Sequence, residues 1–454
     1  MRLLPAQAAR LTAMTTRTKV PPPSFDRRLA VLRGLRGAGV PSFTERIREL
    51  VVVASSSRGG SSMFTDLLRE SSDLLHLRAE INPFLRLAGL DHPVAGDDDR
   101  LEPRHWQGLS RRRRRLLDEE LALDAGTPAA RVDDGAHLLD VAWRLAVQWP
   151  AVDFDPERVV RAGRRVLDRV RRESGWDAGE LRDGRRFQWE LLHDLAADGY
   201  AVDHRYYDLP GTDAVRPPRG APGDRLVEEP PFVALRAWRR ADERDCDTKP
   251  LVVKTPSNAY RLAFLRAMFP NARLRVVHLT RNPAASINGL FDGWRHPGFH
   301  AHRMTEPLRI AGYSDECPLD RWWWKFDLPP GWRQHTGSPL TTVCAFQWRS
   351  AHDAVLDAVR DDGINSVQVR YEDLVSGAES RTRCVARLCD WLGIPFDGTF
   401  ARAVRDGLDP VVTTKPPSPG RWRRRAEAIN EVLAGDVLRT AERLGYGGDP
   451  AHWI

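Results

Sequence analysis

Residues 50–68, LVVVASSSRGGSSMFTDLL, decide how the rest of the chain is read. An apolar, β-branched run at Val51, Val52 and Val53 breaks into a Ser/Gly turn, and helix-like spacing resumes at Met63, Phe64, Leu67 and Leu68. The pattern is strand, loop, helix. Gly59 and Gly60 allow backbone angles closed to other residues, so successive amides can point inward. The first turn of the helix adds N–H groups without intrahelical partners and the positive end of its dipole. Such a place suits an anion, with an ordinary tight turn as the alternative. Arg58 supplies a full charge, and Ser61 and Ser62 supply hydroxyl donors where a phosphate would sit. The nucleoside-triphosphate pattern G-x-x-x-x-G-K-[ST] is absent, because no Lys followed by Ser or Thr comes after the glycines. That disfavours a kinase or GTPase.

A chain of 454 residues has room for two or three average domains, yet an α/β enzyme with insertions uses as much in one. The formal net charge is +7, and Arg supplies nearly all of the positive side, which would suit a polyanionic ligand as well as a solvated surface. Cys246, Cys317, Cys344, Cys384 and Cys389 contain no C-x-x-C pair and are odd in number, which argues against a disulfide framework and for a reducing compartment. No uninterrupted apolar stretch near the N-terminus is long enough for a secretory signal, and none later approaches a membrane span. The expectation is a soluble, cytoplasmic protein without stable membrane insertion.

Outward from the loop, residues 1–24 read as a flexible tail and residues 25–49 as a short helical lead-in interrupted by Gly34, Gly37, Gly39 and Pro41. Leu74, Leu75 and Leu77 suggest a second short strand that ends near Glu80, before a helix started by Pro83. Residues 91–247 change character. Arg-rich helical patterns alternate with Gly/Pro/Asp linkers, and Val159, Val160, Val166, Leu167 and Val170 recur at helical spacing. This predicts a helical insertion capping the sheet. The run Arg111 to Arg115 reads as the wet face of a helix, paired with Asp118, Glu119 and Glu120, with anion contact as the alternative. Residues 210–231 read as a mobile Pro/Gly-rich loop.

Residues 251–253 and 274–279 are apolar strands around a helix over 258–269, the alternation of a parallel sheet. Ligands collect beyond the carboxyl ends of such strands, where Lys254, Thr255, Thr280 and Arg281 fall. Residues 294–340 form an aromatic connection that reads as an acceptor-side loop, or else as a satellite hydrophobic cluster. Its His296, His300 and His302 have Pro297–Gly298 between them and no acidic or Cys partner nearby, so no metal is expected. A helix over 342–360, a strand at SVQVRYEDL, a helix over 378–392 and a basic tail complete the chain.

SRGGSSMF resembles the 5′-phosphosulfate loop of sulfotransferases that use 3′-phosphoadenosine-5′-phosphosulfate (PAPS), with Gly59 standing where that family usually has Ser. Four further segments resemble the same family. HLTRNPAASINGL is similar to its 3′-phosphate segment, with Arg281 in place. Gly289 occupies the position of the expected Ser, a role open to Ser286 or Asn288, or lost. VVKTP, followed by a helix and that segment, is similar to the corresponding stretch of tyrosylprotein and several bacterial sulfotransferases, in which the Lys, here Lys254, faces the phosphosulfate. VRYEDLV resembles the late strand whose Tyr, here Tyr371, lies near adenine. KPPSPGRWR resembles the basic loop that closes over the nucleotide, through Lys415, Arg421 and Arg423.

The resemblance implies a P-loop-like, three-layer αβα fold with a central parallel sheet across residues 25–454. It implies PAPS as co-substrate, held by Arg58, Gly59, Gly60, Ser61, Ser62, Met63, Arg281, Ser286, Tyr371, Lys415 and Arg421, with no metal. Sulfuryl transfer is an in-line displacement at sulfur, and charge grows on the oxygen that departs with adenosine 3′,5′-bisphosphate. Arg58 and Lys254 are the cations that would meet that charge. A general base helps an alcohol acceptor. Glu80 is the candidate, by its resemblance to the family's carboxylate at that place; a helix-start carboxylate is its other reading. His76 is second choice, and Thr414 is a candidate donor to the sulfuryl group. The expected acceptor is a hydroxyl of a carbohydrate, glycolipid or secondary metabolite, and no nucleic acid partner is expected. The competing readings are a diverged nucleotide kinase and a non-enzymatic basic binding module.

Overall fold

In the computed structural model the apolar runs become neighbours in one sheet. It describes residues 23–209, 216–220, 222–223, 225–299, 302–407, 410–447 and 453. The strands, in chain order, are β1 (Glu49–Ala54), β2 (Leu75–His76), β3 (Gly126–Pro128), β4 (Trp238–Arg240), β5 (Leu251–Lys254), β6 (Arg273–Thr280), β7 (His302–Arg303), β8 (Trp323–Trp324) and β9 (Asn365–Arg370). Seven of them form the main sheet in the order β4-β3-β2-β5-β1-β6-β9. The five from β2 to β9 run parallel, and β1 sits between β5 and β6, with Val52 opposite both Val253 and Val276.

That central place explains the unbroken apolar run. Residues of a parallel strand are covered on both faces, and the period of two divides β1 between two cores. Leu50, Val52 and Ala54 join the larger core, which includes Leu75, Leu251, Val253 and Val276. Val51 and Val53 join another with Phe64, Leu67, Val277, Leu279 and Leu388. Helices Ser61–Leu68 and Ala378–Leu392 cover this second face. The result is a three-layer α/β fold of the P-loop-like kind.

Among the described residues, 91–247 supply several helices and also two strands, which sequence reading missed. β3 and β4 extend the sheet antiparallel beyond β2. Their pairing depends on Gly126, where a Cβ would lie 2.2 Å from the Arg239 carbonyl oxygen and 2.4 Å from Trp238 Nε1. A three-residue Gly-Thr-Pro strand has no propensity to announce it. In the helix Pro156–Ser174, Val159, Val166, Leu167 and Val170 are buried. Asp155 caps its start by accepting from the Arg158 N–H, and Gly175 ends it at φ 65°.

Charge pairs bind this insertion to the sheet. Asp140, 3% exposed, accepts from Arg36 Nε (2.8 Å), Arg240 Nη2 (2.7 Å) and Arg78 Nη2 (2.5 Å). The expected pairing of the Arg111–Arg115 run holds only for Arg115 with Glu119, at 2.7 Å. Asp118 instead accepts from the N–H groups of Phe43 and Thr44, and buried Glu120 pairs with Arg33 and Arg36. Both face the neighbouring helix and loop rather than their own arginines.

The helix Pro23–Leu35 begins inside the expected tail, whose residues 1–22 lie outside the described ones, as do parts of the 210–231 loop and His300. The last parallel strand stops at Arg370, and Tyr371–Val375 is a helical turn rather than more strand. Within residues 294–340, Trp294, Trp324 and Trp332 are buried in a core of their own with Tyr313 and Trp348. Those rings belong to the satellite cluster, whereas Phe299, His302, Phe326 and Asp327 of the same stretch line the site described below. The five cysteines are free. Among the described residues no helix is long and apolar enough to cross a membrane.

Candidate active site

The carboxyl ends of the parallel strands open on a cavity of about 1160 Å³. At its centre β1 runs into Ser55, Ser56 and Ser57, all buried, and then into the turn that starts the helix Ser61–Leu68. Arg58 (φ 61°) and Gly60 (φ 95°) take the left-handed conformation, whereas Gly59 does not. The sequence had assigned that freedom to both glycines. Gly60 also lacks the room for a side chain, since a Cβ there would lie 2.2 Å from the Tyr371 ring. Gly60, Ser61, Ser62 and Met63 all line the cavity.

On one flank, Lys254 ends β5 and Glu80 follows β2. Lys254 Nζ donates to Ser62 Oγ (3.0 Å) and to Glu80 Oε1 (2.5 Å). The ammonium thus ties the loop helix to the carboxylate proposed as base. Thr255, 1% exposed, lies in the wall beside it, and its hydroxyl has no partner among the described residues.

On the other flank, Arg281 ends β6 and Tyr371 follows β9. The Arg281 guanidinium lies 4.5 Å from the centre of the Tyr371 ring, and its Nη1 donates to the Arg58 carbonyl (3.4 Å). Arg58 is half-buried, lies 4.9 Å from the centre of the Phe299 ring and donates to the Val412 carbonyl (2.8 Å). Burial, and secondarily the charge of Arg281, bring its pKa down to about 10, so it remains cationic near neutrality. Among the described residues neither of these arginines, nor Lys415, has a carboxylate within ion-pair distance.

The basic C-terminal segment closes the top. Thr414, Lys415 and Arg421 line the cavity, and Arg421 pairs with Asp292 at 2.6 Å, as Arg425 does at 2.7 Å. Arg423 does not line the cavity and lies instead against Trp422. Val412, at φ 55°, is held on both sides, with its N–H donating to Asp208 of the insertion at 2.7 Å. A β-branched residue there is strained.

Three candidates fall outside the walls. Ser286 is fully buried in the helix Pro283–Arg295, with its hydroxyl 3.5 Å from the Arg281 carbonyl, and does not line the cavity. Asn288 and Gly289 do line the cavity, but Asn288 Oδ1 accepts from Arg425. His76 is enclosed within β2, and burial holds its pKa well below the ordinary value, so it stays neutral. Gly59 packs against the Ser56 carbonyl, where a Cβ would lie 2.9 Å away, and shapes the turn without forming the wall.

Asp327 was not read from the sequence. It is 2% exposed, lines the cavity and accepts from Ser57 Oγ (2.5 Å) and Tyr260 Oη (2.9 Å). Burial pushes its carboxyl up to about 6. Phe326 before it sits at φ 67°, a strained angle that would have been the signal had backbone angles been readable. His302 lies 3.5 Å from buried Asp99, and His296 Nδ1 accepts from the Gly298 N–H. Among the described residues no group of three or more His, Cys, Asp or Glu is arranged to hold a metal ion.

Fold and site together define a P-loop-like α/β protein with a Ser/Gly turn that lines a cavity at the end of its central strand. No protein-family model matches the chain, and no curated protein sequence does. Among solved structures it is similar to the sulfotransferase domain from the curacin biosynthetic pathway, at 12% identity and a TM-score of 0.36 over 89% of this chain and 100% of that one. It is similar to the sulfotransferase domain from the Synechococcus PCC 7002 olefin synthase, at 15% identity and 0.36 over 89% and 96%. A sulfotransferase from Mycobacterium avium gives 14% identity and 0.34 over 97% and 95%.

Proposed function

We propose that the chain is a sulfotransferase that uses PAPS and modifies a hydroxyl of a carbohydrate, glycolipid or secondary metabolite. The observation that carries this reading is the grouping of Arg58, Arg281 and Lys415, cations without carboxylate partners among the described residues, around the turn at Gly60. A double anion suits such a cradle, because charge-assisted hydrogen bonds to guanidinium are strong and directional. When bound, PAPS supplies the sulfuryl group and the phosphate that leaves.

The residues then divide the work. Ser61, Ser62 and the first amides of the helix hold the 5′ end, while Arg281 and the basic segment hold the 3′ end. Glu80 takes the proton from the acceptor hydroxyl, whose oxygen forms the new bond to sulfur as the bond to the bridging oxygen breaks. Lys254, already shared between Ser62 and Glu80, meets the charge that appears on the departing oxygen. Calorimetry with adenosine 3′,5′-bisphosphate tests the reading: saturable binding indifferent to magnesium and to ATP is expected, and no heat from well-folded protein overturns it. Labelled PAPS with pooled cell extracts then identifies what gains sulfate. ATP competition would instead favour the diverged kinase.

A further inference from the structure

The anion-binding groups account for only half of the cavity. Past Glu80, toward the β2 edge, the wall comes from residues 230–235, Pro-Pro-Phe-Val-Ala-Leu, of the insertion. This segment is anchored at both ends over the helices that follow β1 and β2. Arg86 of the helix Asn82–Leu87 pairs with Glu229, and Arg236 donates to Glu70 at 2.9 Å. The Phe232 ring packs on Trp149 and Tyr207, and its N–H donates to the Tyr206 carbonyl at 2.9 Å. Pro231, Val233 and Ala234 remain half-buried in the wall.

Charge is divided unevenly between the two halves. Near the 230–235 wall the guanidiniums have their own carboxylates: Arg69 with Asp66, Arg78 with Asp140 and Arg236 with Glu70. Around the turn at Gly60, Arg58, Arg281 and Lys415 have none. An anionic acceptor would have to separate pairs that are already partly desolvated, leaving a buried charge uncompensated. A sugar would fare little better. The 230–235 segment itself carries no polar side chain, and the Val233 carbonyl already accepts from Gln148 Nε2 at 3.2 Å, so ring hydroxyls set against it would lose water without replacement.

We propose that this half of the cavity binds an uncharged alcohol with a predominantly apolar body, and that the 230–235 segment selects it. The fate of the hydroxyl rests on the sulfotransferase reading; the binding does not. The test titrates the full chain with 2-naphthol, with the neutral sugar maltotriose and with an unsaturated chondroitin disaccharide, each with and without adenosine 3′,5′-bisphosphate. Saturable binding of 2-naphthol alone is expected, weakened about tenfold or more by Val233→Asp and by Ala234→Asp, since either places a carboxylate against apolar surface. Both variants should keep the wild-type affinity for the bisphosphate, which also reports that they fold. The proposal is overturned if 2-naphthol does not bind, if its affinity is the same in both variants, or if either sugar binds more tightly. Loss of bisphosphate binding in the wild type would strike the donor reading instead and leave the 2-naphthol titration to decide this one.

Discussion

The Lys254 ammonium donates at once to Ser62, which opens the helix after β1, and to Glu80, 174 positions away in the chain. A single cation therefore links the group that would take a proton to the turn that would hold the leaving phosphate. Glu80→Gln keeps the shape and a hydrogen-bond acceptor but removes the base. Transfer should fall by about 10²–10⁴-fold with bisphosphate affinity retained, measured by single-turnover assay and calorimetry. Full activity would remove Glu80 from that role.

Arg58 and Arg281 each lose a charged hydrogen-bonding group on substitution by alanine. Each change should weaken bisphosphate binding by about 1.5–3 kcal/mol, the worth of a hydrogen bond to a charged group, read by calorimetry. Wild-type affinity in both variants would refute the site assignment.

Gly60→Ala meets two obstacles, the left-handed backbone and the Tyr371 ring. The backbone alone costs about 1–2 kcal/mol, and the clash adds to it. Gly60→Ala combined with Tyr371→Ala should recover the steric part in denaturant melts while the backbone cost persists. Equal destabilisation with and without the ring would show that Tyr371 does not press on the turn.

Asp140 compensates three arginines from different parts of the fold, and the arginines in turn hold its carboxyl down to about 2. Asp140→Ala strands buried Arg78, while Arg36 keeps only Glu120, and should cost about 3–5 kcal/mol in urea unfolding. A loss below about 1 kcal/mol, the scale of an exposed pair, would mean that these pairs do not secure the insertion.

His278 and His352 face each other at 2.9 Å in the interior, and burial lowers both, His278 to about 3. Burial likewise takes His137 to about 4. Below pH 6.5 the unfolded chain binds protons that the folded chain refuses, so stability must fall as pH drops from 6.5 toward 3. Each such histidine contributes a slope of about 1.4 kcal/mol per pH unit well below 6.5. The double variant His278→Leu/His352→Leu should show a shallower decline between pH 6 and 5 by thermal melts. An unchanged slope would exclude this pair as its source.

What the amino-acid order settled alone is what local chemistry can encode. Valines in succession, a Ser/Gly break and resumed helical spacing specified β1, the turn and its helix, because strand period, turn geometry and helix period each act within a few residues. The polar residues at strand ends, Lys254 and Arg281, were legible for the same reason. Tertiary structure alone decided which of these meet. Asp327 reaches Ser57 across 270 positions, β3 and β4 pair with the sheet although Gly-Thr-Pro carries no strand signal, and Ser286 turns inward from its helix. These depend on the order in which strands pack and on which helix face is buried, both set by burial summed over the whole chain rather than by any one stretch of it.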